Sequence, residues 1–224
     1  MQPVIRLLPG GVATTRARPA APAPAPDDKR TAIIDAARIL FGRYGYRRTS
    51  IDDLAGAAGI AKGTVYLYFA TKEEIFRALS QAAIAHVLRE AERAAATAGP
   101  VVVRLRRILE AKFGYFFEVV HSSPHARELI DSKNRLSADL FTQADRAYLR
   151  ILARAIAAAT GRGELSLARV GLTPEAAAEL VVCGAHGIGE VGEGPAPTAR
   201  VFRRRLDDLV RVLAVGLGAR TTAA

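Results

Sequence analysis

From Asp28 to Leu217 the apolar residues of this chain recur at intervals of three and four, and no stretch alternates one in two as a half-buried strand does. The expected fold class is therefore all-α. Ile33, Ala37, Leu40, Phe41 and Tyr44 stripe a first helix over 28–44, which Gly45 stops. Ser50 caps a second, with Asp53 three residues on as a partial capping box. Ile51, Leu54, Ala55 and Ala58 form its inner face, and Gly59 ends it. A short third helix fits 61–66. Thr71 and Glu74 then make a capping box that opens a long helix over 72–96. Later stripes predict helices over 102–121, 124–134, 137–160 and 174–188, and from Phe202 to Leu217, about nine in all. In the fifth, Leu105, Leu109, Phe113, Phe116 and Val120 form the expected inner stripe. Loops are expected at 161–172 and from Gly189.

Composition narrows the function. The chain has 224 residues, enough for a sizeable core, and its formal net charge is +10. Only +1 of that charge falls within residues 27–75, where eight basic residues face seven acidic ones. Its one cysteine, Cys183, excludes an intramolecular disulfide framework and a cysteine-built zinc site, and fits a cytoplasmic protein. No apolar run reaches the roughly 20 residues of a membrane helix. Residues 1–27, with "APAPAP" at 21–26 and Arg6, Arg16 and Arg18, read as a disordered tail. No nucleophile–base pair, paired carboxylates or metal cluster stands out, so no catalytic residue, metal site or cofactor is expected, and the chain does not read as an enzyme. His121 and His125 have no third ligand beside them, and Cys183 and His186 read as helix-interface packing.

The stretch "GIAKGTVYLYF", residues 59–69, carries the chemistry. A phosphate-binding loop needs Gly-Lys-Thr/Ser after a strand; here the order is Lys62-Gly63-Thr64 after a helix. Two helices joined by a tight turn at Gly59 instead suit a helix-turn-helix, whose second helix enters the DNA major groove. Small residues Ala61, Gly63 and Thr64 permit close approach, and Lys62 can donate to guanine or phosphate. Tyr66 and Tyr68 offer hydroxyls to phosphates. Thr49 and Ser50 open the second helix, where backbone N–H groups favour an anion. Lys72 lies close to the same backbone. Ile60, Val65 and Phe69 face inward, and Asp52 and Asp53 are expected on the far side of the motif.

Residues 30–76, including "YGYRRTSIDDLAGAAGIAKGTVYLYF" and "KEEIF", resemble the N-terminal domain of TetR-type transcriptional regulators. The resemblance implies groove-facing roles for Lys62, Gly63, Thr64 and Tyr66, and backbone contacts from Thr49, Ser50, Tyr68 and Lys72. The residue after the turn is often serine in this family and is Ala61 here, which removes the usual cap. The implied organisation is a tail at 1–27, a three-helix DNA-binding domain at 28–75, and a larger helical effector-binding and dimerisation domain at 76–220. The implied partners are palindromic double-stranded DNA, a second copy held through the last two helices, and a small apolar or amphipathic effector that releases a repressor from its operator. Phe113, Phe116, Phe117, Phe141 and Tyr148 are the candidate effector-binding side chains.

Overall fold

The structure, a computed structural model, describes residues 26–188 and 197–219. Most of the tail, and the loop expected from Gly189 as far as residue 196, lie outside the described residues. Ten α-helical segments occur among those described: α1 (Pro26–Tyr44), α2 (Ile51–Ala58), α3 (Lys62–Tyr68), α4 (Lys72–Ala96), α5 (Val101–Leu109), α6 (Tyr115–His121), α7 (Ala126–Leu136), α8 (Ala138–Gly161), α9 (Pro174–Gly187) and α10 (Ala199–Gly216). A π-helical turn at Glu110–Gly114 joins α5 to α6, so the segments amount to nine rods. Among the described residues there is no strand, and no helix is long and apolar enough to cross a membrane. The loop expected at 161–172 contains a 3-10 turn at Leu167–Val170, which tucks Leu165 and Leu167 into the core.

Local rules set the helix ends. Ser50 accepts from the Asp53 N–H at 3.1 Å, and Asp53 accepts from the Ser50 N–H at 2.8 Å. This is a complete capping box. Thr71 caps α4, Thr173 caps α9 ahead of Pro174, and Thr198 caps α10. Gly59 takes the left-handed conformation, φ 66°, that turns α2 sharply into α3.

Two clusters of buried side chains meet along α4. One joins Ile33, Ala37 and Phe41 of α1 to Leu54, Val65, Phe69, Ile75 and Phe76. The other gathers α4 beyond Val87 with α5, α6, α8, α9 and α10 around Leu105, Ile108, Leu152, Ile156 and Leu206. The π turn rephases the rod of α5 and α6 within the second cluster. After Ile108 and Leu109 its buried positions are Lys112 and then Phe117, so that the step from Ile108 is four and the next is five. The expected stripe through Phe113, Phe116 and Val120 is therefore turned to half-buried positions.

The segment from α6 to α8 clasps the first cluster. Ser123 donates to the Gly42 carbonyl at 2.7 Å, and the Arg47 backbone N–H donates to Glu128 Oε1 at 2.5 Å. Arg77 forks onto Asp139 with two bonds of 2.8 Å and also donates to the Leu136 carbonyl at 2.6 Å. Leu129 and Leu136 pack on the cluster from the same side.

Gly45 combines φ 87° with the Glu128 carboxylate pressed where a Cβ would stand. Gly45→Ala should destabilise the chain by about 1–3 kcal/mol, read as a lower melting temperature. The guanidinium hydrogen bonds of Arg77 hold the Asp139 carboxyl down at about 2, from an ordinary 3.8. That pair contributes stability above the ordinary value and loses it as pH falls toward 2. In Arg77→Met, the Asp139 carboxyl carbon should titrate near its ordinary value by NMR.

Candidate nucleic-acid interface

The candidate surface is the outer face of α3. Val65 is fully buried and Phe69 nearly so, with the Arg30 guanidinium 5.2 Å above the Phe69 ring. Ile60 and Tyr68 are half-buried against the same cluster. These contacts seat one face of the helix and leave the other to solvent. Lys62 and Gly63 are exposed, Thr64 is half-buried, Tyr66 is 49% exposed and Leu67 is 83% exposed. Sequence reasoning passed over Leu67. Its extreme exposure marks it as part of this face, and only its helical phase opposite Val65 could have signalled it.

Gly63 meets no atom within 4 Å of a Cβ built on it, and its φ is ordinary for a helix. The fold does not require glycine there, and glycine in a helix costs up to about 1 kcal/mol against alanine. A surface that must come close to something outside the chain does account for it. Ala61 occupies the N-cap of α3 with φ −70° and ψ 147°, and makes no side-chain cap. That leaves the first N–H groups of α3 without a side-chain acceptor.

Several expected contacts are turned inward. Thr49 is buried, and its hydroxyl donates to the Gly45 carbonyl at 2.8 Å and the Leu40 carbonyl at 3.4 Å. Ser50 is exposed but engaged with Asp53 in the cap. The Lys72 ammonium donates to the carbonyls of Tyr46 and Thr49 at 2.9 Å each and of Arg47 at 3.4 Å, and lies 4.6 Å above the Tyr46 ring. Its three donors are thus occupied. Tyr46 also packs edge-on against Phe41 and Phe76, each at 5.3 Å. Burial, with Glu73 nearby, pushes its phenol up to about 12.

Asp52 is not on the far side of the motif. Its Oδ2 holds Lys62 Nζ at 2.8 Å, bridging the first turns of α2 and α3, and the hydrogen bond raises the lysine's pKa. The pair is largely exposed, so it contributes little to stability and yields readily to a stronger anion. Arg47 and Arg48 extend exposed side chains from the turn before α2.

The candidate effector residues divide. Phe116, Phe141 and Tyr148 line one narrow cavity together with Ile84, Leu88 and Lys112. It holds about 10 Å³, near the limit of one water molecule. Phe113 lies off this cavity, its ring edge-on to His186 at 4.9 Å. Phe117 is stacked between His121 at 3.7 Å and Phe202 at 4.2 Å. His121 Nδ1 is 2.9 Å from the Phe117 carbonyl, and His125 lies against Glu128. Cys183, expected in a packed helix interface, is exposed on the outer face of α9.

Ala61→Ser should supply the missing cap of α3 and raise stability by about 0.5–1 kcal/mol, measured by urea unfolding.

Residues 33–79 match the family model described as bacterial regulatory proteins, tetR family. An uncharacterized HTH-type transcriptional regulator of Bacillus subtilis, YfiR, is 38% identical over 69 residues, which are 30% of this chain and 34% of that protein. The HTH-type transcriptional repressor LfrR of Mycolicibacterium smegmatis is 36% identical over 85 residues, 37% of this chain and 43% of the repressor. The match thus spans less than half the length of these curated relatives. A solved transcriptional regulator from Cytophaga hutchinsonii shares the fold over 85% of this chain and 99% of its own, with TM-score 0.67 and 17% identity. Over residues 33–79, then, the chain is similar to the tetR family of bacterial regulatory proteins, and over most of its length it shares their helical fold.

Proposed function

We propose that this chain is a homodimeric, DNA-binding regulator of transcription, a repressor released from its operator by a small effector. The observation that carries the reading is the outer face of α3. It is a short helix rigidly seated by Val65 and Phe69, with Lys62, Gly63 and Tyr66 uncovered at its start. In this reading α3 enters the major groove, where Gly63 lets the backbone approach and Lys62 exchanges Asp52 for a guanine or a phosphate. Tyr68 and the N-terminus of α2 meet the DNA backbone, aided by Arg47 and Arg48. Lys72 and Thr49 act from behind, holding the turn that presents α2.

One reading head binds weakly, and two copies spaced a helical turn apart read a palindrome. The pairing surface proposed is the outer face of α9 and α10. Leu180 on α9 and Val212 and Val215 on α10 are exposed apolar side chains that a second copy would cover. Effector release would run through the clasp from α6 to α8. A shift there moves the contacts of Ser123, Glu128 and Asp139, and with them the spacing of the two heads. The small size of the cavity favours a second reading, in which a protein partner replaces the small ligand.

The test is footprinting of the full-length protein on genomic DNA, followed by affinity measurement on the sites found. Lys62→Ala should weaken binding by about 1–3 kcal/mol and lower its salt slope by up to about one phosphate contact, whereas Tyr68→Phe should weaken binding with the salt slope unchanged, since the lost hydroxyl carries no charge. The dimer should persist in both variants by light scattering. Operator affinity unchanged in Lys62→Ala would refute the assignment of α3 as the reading helix.

A further inference from the structure

The π turn buries a lysine midway along the rod of α5 and α6. Lys112 is 8% exposed, and its ammonium lies 4.9 Å above the Tyr148 ring and 5.3 Å above that of Phe113. Among the described residues its carboxylate partner is Asp145, at 2.8 Å. The two partners are unequally placed, since the Asp145 side chain is 54% exposed while that of Lys112 is 10% exposed. Both line the cavity that Ile84, Leu88, Phe116 and Phe141 complete.

The inequality fixes the sign of a ligand. A cationic guest that took Asp145 would strand a buried ammonium, which is strongly unfavourable. An anionic guest that took Lys112 would release Asp145 to water it already touches, at small cost. The remaining wall is aromatic and aliphatic, suited to a hydrocarbon. We infer that Lys112 is the anchor of an effector site for an amphiphile with one anionic head, a carboxylate or a phosphate ester, whose apolar tail enters between Phe116 and Phe141. Asp145 is then the stand-in counter-ion of the empty state. The proposal deepens the effector reading above and rests on it for its regulatory meaning, though not for the binding itself.

The cavity adjoins the clasp. Phe141 and Asp145 lie on α8, whose first turn carries Asp139, the partner of Arg77. An alkyl tail is far larger than the present cavity, so its entry must move the start of α8 and load that contact.

The experiment is direct calorimetric titration of the full-length protein, without DNA, using dodecanoate, dodecyl phosphate, dodecanol and dodecyltrimethylammonium. At least one of the two anions should bind about tenfold or more tighter than the alcohol and the cation, the scale of one charged hydrogen bond. Comparing the two anions distinguishes a carboxylate from a phosphate source. Lys112→Met, checked by circular dichroism, should erase the preference for the anion. Asp145→Asn should preserve or strengthen it, and serves as the readout should Lys112→Met fail to fold. Preference for the cation, equal binding of alcohol and anions, an anion preference surviving in Lys112→Met or lost in Asp145→Asn, or no binding of any probe would each overturn the assignment. Any of these with operator binding intact counts against the anion site alone, whereas failure to bind any DNA site counts against the regulator reading alone.

Discussion

The Lys72 ammonium is the point on which the presentation of α3 depends. The turn between α1 and α2 must leave carbonyls without helical partners, and buried carbonyls need donors. Lys72 collects three of them and shelters its charge on the Tyr46 ring. Thr49 closes the same turn through its hydroxyl. The start of α4 and the start of α2 thereby become one rigid piece. Because α2 carries α3 through the tight turn at Gly59, the orientation of α3 is referred to α4 rather than to the surface loops.

That reference makes the rest of the chain mechanically relevant. Helix α4 belongs to both buried clusters, and the clasp from α6 to α8 grips the first cluster at Gly42, Arg47 and Arg77. These bonds are few and polar, three of them involve a backbone group, and they lie between helices. Such contacts exchange partners at modest cost, whereas the interdigitated aromatics of the head do not. The clasp is therefore the weakest join between the two clusters.

Much of the fold was legible because its signals are local. Ser50 with Asp53, Thr71 with Glu74, Thr173 before Pro174 and the turn at Gly59 each depend on neighbours within a few residues. The site was legible in outline, since Lys62, Gly63 and Tyr66 do lie uncovered on one helix. What failed was anything requiring two distant segments. Nothing in the spacing shows that Lys62 meets Asp52, or that Lys72 points back at carbonyls 23 to 26 residues earlier. The π turn was illegible for another reason. A stripe that slips by one residue still resembles a stripe, and Phe113 and Phe116 are as apolar as the Phe117 that took the inner place.

The π turn at Glu110–Gly114 also has an evolutionary reading. An extra residue inserted into an α-helix rotates everything beyond it by about 100° unless a wider turn absorbs it. The π turn does so, since the buried steps from Ile108 to Lys112 and from Lys112 to Phe117 are four and five residues. Loss of one codon just beyond Lys112 would make both steps four, and would leave Phe117 in its inner place and Lys112 in its own. The rod can thus gain or lose a residue at this turn while the face it buries stays intact.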